Sequence, residues 1–254
     1  MAGLVVSPRK VSLGDPGTGF SASMTPPGWA HLDYVGGPIL MRAETEVERR
    51  WRLQACRKEP WTAAWLDTIG PRDLLFNIGA CVGSYALIAA YRGARVVAVE
   101  ASPVNAARLA QNASENILAG SIVLALGVCG PSEQPQGVGL GSQTPGAADI
   151  KVIGSRLVNV VLPGVTLDGL ADTYGQPTHL LIDVDGGELD VLRGGSEALG
   201  SVREVMLECS TESRLAEVCR AILADAGLPG VETWDQRDGV KIEGVTYSLY
   251  RRAT

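Results

Sequence analysis

Two groups of residues in this chain have the types and spacing that chemistry needs. The first is Gly79-Ala80-Cys81-Val82-Gly83, followed at Glu100 by an acid that closes the apolar, β-branched run over residues 94–99. An acid about 20 residues beyond a glycine turn lands, in a strand–helix–strand unit, at the carboxyl end of the neighbouring strand. There it can accept hydrogen bonds from both hydroxyls of a ribose. The glycines let the backbone approach such a ligand and present amides at a helix N-terminus. The second group is Asp183-Val184-Asp185-Gly186-Gly187-Glu188, with three carboxylates close together. Their repulsion must be offset by a cation, a shared proton, hydrogen-bond donors or solvation.

The loop reads GxxxG. The dinucleotide fingerprint GxGxxG needs glycine where Cys81 stands, which disfavours a pyrophosphate-binding turn and hence an NAD-dependent oxidoreductase. Cys81 has no histidine near it in sequence and reads as a small loop residue rather than a nucleophile.

The elements that must position these groups alternate. Strands are expected over residues 74–78, 94–99, 122–128, 179–184 and 202–208, and helices over 84–91, from Ser102 and Pro103 to residue 112, from 166 onward, from 188 to 193, and over 213–226. In the last helix Leu215, Val218, Cys219 and Ile222 are assigned to the core. Upstream, residues 44–53 suit a charged helix, and 59–66 a second one whose Trp61 and Trp65 pack on the sheet edge. Residues 130–146 read as a loop, 151–162 as an antiparallel pair or edge strand, and 231–252 as a terminal hairpin. The pattern predicts an α/β fold: a doubly wound, mostly parallel sheet with a C-terminal antiparallel hairpin and an N-terminal helical or irregular extension. Residues 1–43, rich in Pro and Gly, are expected to form an irregular arm and a candidate lid, and residues 44–254 a single domain.

Composition narrows the function. A net charge of -6 with scattered Lys and Arg argues against a nucleic-acid surface. Five cysteines without a CxxC pair and two histidines without ligand spacing leave no zinc constellation and fit reduced, cytoplasmic thiols. No apolar run is long enough to span a membrane. Self-association as a homo-oligomer is compatible with this composition.

The segments NIGACVGSYALIAA, VVAVEASPVNAARLAQNASEN, TLDGL and LLIDVDGGELDVLRGG, with EPWTAAW ahead of them, are similar to the FkbM family of S-adenosylmethionine-dependent methyltransferases. That family usually shows DxGAxxGxY, a strand ending E-P-S, TLDxL and KIDVEGxExxVLxG. Here Asn77 replaces the aspartate, Ala101 the proline, Asp185 the glutamate and Leu181 the lysine, and the resemblance covers about residues 58–210. It implies a seven-stranded Rossmann-like methyltransferase sheet with S-adenosylmethionine as cofactor. Asn77, Gly79, Ala80, Cys81, Gly83, Ser84 and Tyr85 would lie at its methionine end, Glu100 and Ala101 at the ribose, and Ser102, Leu126 and Gly127 near the adenine. Asp183 would touch the cofactor and act as general base or acceptor-orienting group, with Glu188 assisting. A divalent cation, if used, has Asp183, Asp185 and Glu188 as candidate ligands. The implied acceptor is a hydroxyl on a sugar, polyketide or other small metabolite. A non-catalytic cofactor- or partner-binding protein is the alternative, since Asn77 offers no carboxylate to the cofactor's ammonium group.

Overall fold

The computed structural model describes residues 25–140, 144–148, 150–152, 160–210, 214–237, 240–241 and 244–252. Short runs that are apolar on both faces belong in the middle of a parallel sheet. Five such runs pair in parallel: β1 (Leu74–Ile78), β2 (Arg95–Glu100), β3 (Ile122–Leu126), β4 (His179–Ile182) and β5 (Glu204–Ser210). The chain then closes the sheet with β6 (Gly230–Trp234) and β7 (Val245–Arg251), β7 running antiparallel to both β5 and β6. The spatial order is β6-β7-β5-β4-β1-β2-β3. Strand order reverses between β1 and β4, and open α/β sheets bind ligands at such a point.

Successive strand residues point to opposite faces, which divides the core in two. Leu75, Val96, Ala98, Leu181 and Met206 pack on one side with α1 (Pro60–Leu66), α2 (Ser84–Tyr91) and α3 (Pro103–Glu115). Phe76, Val97, Val99, Leu180 and Leu207 pack on the other with α4 (Leu167–Tyr174), α5 (Glu188–Arg193) and α6 (Arg214–Asp225). α1 is locked by its two buried tryptophans. Trp61 stacks on Trp234 at 5.9 Å and lies 5.1 Å from the Tyr247 ring, while Trp65 Nε1 donates to Glu204 Oε2 at 2.7 Å.

Several local expectations change. Of the arm, residues 1–24 lie outside the described residues; Trp29–His31 and Leu40–Arg42 pair as an antiparallel hairpin. The charged helix over 44–53 contracts to a π-helical turn, Glu48–Arg52, closed by Leu53 N donating to Glu48 O at 2.9 Å. The stretch 130–146 is not all loop. Gln136–Leu140 forms the centre of a small antiparallel sheet with Ile150–Val152 and Val160–Leu162, held by the fully buried Val138. The run 122–128 breaks at Gly127, and Val128–Cys129 pairs instead with Gly164–Val165. In α6, Leu215 and Val218 are exposed, and the buried stripe is Cys219 and Leu223.

Candidate functional site

β1, β2, β4 and β5 deliver four polar side chains to one edge of the sheet. Period-2 alternation puts Asn77, Glu100, Asp183 and Glu208 in phase with the strand residues that face α1 to α3. A cleft of about 600 Å³ opens there, lined by Gly79, Cys81, Glu100, Ala101, Gly127, Asp183, Asp185 and Glu208. A recess of about 30 Å³ adjoins it, walled by Trp51, Arg52, Lys58, Ala80, Ser84, Tyr85 and Asp183.

The glycine loop is shaped by the neighbouring strand. Gly79 has φ +83, and a Cβ there would sit 1.8 Å from the Asp183 carbonyl oxygen. Only glycine fits between the two. Cys81 also takes a positive φ, +50, and burial pushes its thiol up to about 11, so it is held neutral. Gly83, at φ +96, starts α2 against Leu109, and Ser84 donates from Oγ to the Arg52 carbonyl at 3.0 Å.

Glu100 is buried at the end of β2. Its two oxygens accept from Cys81 N and Ser102 N, each at 2.7 Å. Burial nevertheless outweighs these bonds and raises its carboxyl above the ordinary range. The Asn105 side chain also donates to this carboxylate, which with four lone pairs in all keeps acceptor capacity for a donor in the cleft. Asn77 is buried too and lines neither the cleft nor the recess; among the described residues its Oδ1 has no hydrogen-bond partner. An orphaned acceptor of this kind costs about 1–3 kcal/mol unless a ligand donor satisfies it.

Asp183 stands at the centre of a carboxylate cluster. Burial, then repulsion from Glu208 and Glu59, raises its carboxyl well above the usual range, with Lys58 opposing. The β4–β5 register pairs Ile182 with Leu207, so Glu208 is its cross-strand neighbour. Burial, with Glu59 beside it, raises Glu208 as well. Glu59 arrives from the start of α1, its Oε1 bound by Lys58 Nζ at 2.6 Å and by the Tyr247 hydroxyl at 3.2 Å.

Some expected residues lie elsewhere. Glu188 does not line the cleft: its Oε1 accepts from Gly186 N at 2.7 Å and closes the turn ahead of α5. Asp185 is exposed at φ +51. Among the described residues no group of three His, Cys, Asp or Glu could hold a metal, so Asp183, Asp185 and Glu188 do not form the grouping a cation needs. Leu126 is 41% exposed and outside the cleft, Gly83 packs on Leu109, and Ser102 is the N-cap of α3, its Oγ accepting from Asn105 N. Conversely, Arg52, Lys58, Glu59, Glu208 and Tyr247 were not expected here. Glu208 carried a signal, since it ends an apolar parallel strand just as Glu100 does.

A seven-stranded sheet of this order, with a glycine loop after β1 and an acid ending β2, defines a Rossmann-like class that includes methyltransferases. Residues 77–227 match the Methyltransferase FkbM domain, and the chain belongs to that family. It is 29% identical over 172 residues to the hexuronic acid methyltransferase AglP of Haloferax volcanii, a match spanning 64% of this chain and 66% of that protein. Its fold resembles magnesium protoporphyrin IX methyltransferase (ChlM) from Synechocystis PCC 6803, solved with bound SAM. That likeness has a TM-score of 0.50 and 16% identity, over 82% of this chain and 85% of that one. The fold also resembles aTrm5 in its complex with tRNALeu, with a TM-score of 0.52 and 9% identity, over 89% of this chain and 53% of that one. The fold therefore does not by itself exclude a nucleic-acid acceptor. No helix among the described residues is long and apolar enough to cross a membrane.

Proposed function

We propose that this protein is an S-adenosylmethionine-dependent O-methyltransferase acting on a hydroxyl of a small, polyhydroxylated metabolite. The observation that carries the reading is Asp183, a half-buried carboxylate of raised basicity packed against Gly79 of the glycine loop and lining both the recess and a cleft of about 600 Å³. The residues fit the cofactor: the orphaned Oδ1 of Asn77 suits its ammonium group, and Glu100 keeps acceptor capacity for a ribose hydroxyl. S-adenosylmethionine, when bound, supplies an electrophilic sulfonium methyl. Asp183 takes the acceptor's hydroxyl proton as the oxygen attacks, and the raised carboxyl makes it a better base than an ordinary aspartate. Glu59 and Glu208 keep it so, while Lys58 and Tyr247 hold Glu59 in place. Glu188 fixes the turn after β4 rather than touching the acceptor. The net charge of -6 disfavours nucleic acid, and the similarity to a hexuronic acid methyltransferase favours a sugar-like acceptor.

Titration calorimetry with S-adenosylhomocysteine tests the cofactor, followed by methyl transfer to a panel of sugar acceptors. Glu100→Ala removes two hydrogen bonds to a charged acceptor and is expected to weaken binding at least about 100-fold. A folded, ligand-stripped wild type that binds no S-adenosylhomocysteine would overturn the proposal.

A further inference from the structure

The recess beside the glycine loop contains two cations, and only one is committed. Lys58 Nζ is bound to Glu59 at 2.6 Å. Arg52 is half-buried in the same wall; Asp183 and Glu59 act on it through space, but among the described residues no carboxylate oxygen lies within ion-pair distance of its guanidinium. A half-buried guanidinium with no carboxylate in contact keeps its donors for an anion that enters the recess.

The structure spends several contacts on holding that guanidinium still. Its residue ends the π-helical turn Glu48–Arg52, and wide turns of this kind recur at functional sites. The turn is staked by the fully buried Glu48, whose Oε2 accepts from Glu44 N and Thr45 N at 2.9 Å and whose Oε1 lies 3.1 Å from Arg108 Nε. The Arg52 carbonyl accepts from Ser84 Oγ on α2, and Arg52 Nε donates to Gly146 O at 2.7 Å. Gly146 is fixed in turn by Asn105 Oδ1, which accepts from its N–H at 2.9 Å. With Nε used, the two terminal nitrogens carry no hydrogen bond among the described residues and form a planar pair of donors, the geometry that grips a carboxylate through two parallel bonds.

Resting on the cofactor reading above, we infer that Arg52 holds the carboxylate of the cofactor's amino-acid end and so selects amino-acid-bearing nucleosides. Arg52 lies outside the segment that matches the family. Its place in the recess also separates charges sensibly: the anionic group of the ligand meets Arg52, and its ammonium group is left for Asn77 Oδ1 and the carboxylate cluster.

The test is a binding cycle that needs no turnover. S-adenosylhomocysteine and its decarboxylated analogue, S-adenosyl-3-thiopropylamine, are titrated into wild type, Arg52→Met and Arg52→Lys, with folding checked by circular dichroism. The two ligands share nucleoside, sulfur and amine and differ only in the carboxylate. Wild type is expected to prefer S-adenosylhomocysteine by a factor on the order of 10 to 100, the worth of charge-assisted hydrogen bonds. In Arg52→Met the preference should collapse to about threefold or less, and in Arg52→Lys a part of it should return. A preference that persists in Arg52→Met, or equal losses for both ligands, overturns the inference, because a merely structural arginine would affect them alike. A wild type that binds both ligands equally overturns it without any variant. Absence of binding by either ligand instead removes the cofactor reading on which it stands.

Discussion

Gly79 and Gly186 have similar backbone angles and opposite surroundings, which allows steric crowding to be separated from conformational strain. Both take positive φ, +83 and +106, but a Cβ on Gly186 would meet nothing within 4 Å, whereas one on Gly79 would sit 1.8 Å from the Asp183 carbonyl oxygen. An alanine forced into the left-handed region costs about 1–2 kcal/mol at either position. At Gly79 the carbonyl must also retreat by more than an ångström. That carbonyl follows the Asp183 N–H, which donates to Ile78 O at 3.0 Å, and Gly79 N and Ala80 N both donate to Val99 O at 2.9 Å. Losing two such bonds adds about 2 kcal/mol. Gly79→Ala is therefore expected to cost about 3–4 kcal/mol and Gly186→Ala about 1–2 kcal/mol. Equilibrium urea unfolding, read through the fluorescence of the buried Trp61 and Trp65, measures both. Equal costs for the two variants would refute the reasoning, since the carbonyl contact would then contribute nothing.

Asp183→Asn should abolish methyl transfer yet stabilise the fold at neutral pH. A carboxyl whose folded pKa is raised lends stability that is complete below its ordinary value of 3.8 and is lost as pH rises through the folded value. The variant's advantage in urea midpoint should thus be small near about pH 4 and grow toward about pH 8; a constant or reversed gap contradicts it. Trp65→Phe deletes the 2.7 Å bond to Glu204, which keeps Arg251 Nε at 3.0 Å. The expected cost is about 1–2 kcal/mol, or a melting temperature lower by about 2–8 °C, and an unchanged melting temperature would show that water replaces the bond.

The βαβ unit around Gly79 and Glu100 was legible because it is local: its strands, loop and acid follow one another in the chain, and one periodicity shift separates each from the next. The carboxylate cluster was half legible. Asp183 announced itself at the end of an apolar strand, but Glu59 reads from sequence as an ordinary residue before a helix proline, and only the packing of Trp61 on Trp234 and Tyr247 carries it to the sheet edge. The place of Glu188 was illegible for a related reason. An acid in a first helical turn has the same spacing whether it faces a cleft or closes its own turn on Gly186 N. The stripe of α6 was misread because Leu215 and Val218 satisfy helical spacing, while the docking of Cys219 and Leu223 decides which side is covered.

The position of Arg52, Lys58 and Glu59 bears on how this protein can be cut, shuffled or compared. All three precede residue 77, where the match to the family begins, yet Arg52 and Lys58 wall the recess, and Lys58 and Glu59 belong to the Asp183 environment. The inherited module is thus smaller than the working one. A chimera that exchanges residues 77–227 between relatives transfers the glycine loop, Glu100 and Asp183 but leaves behind the upstream side chains that Asp183 was tuned against. Specificity and pH optimum in such hybrids should follow the donor of the segment before β1 as much as the donor of the sheet.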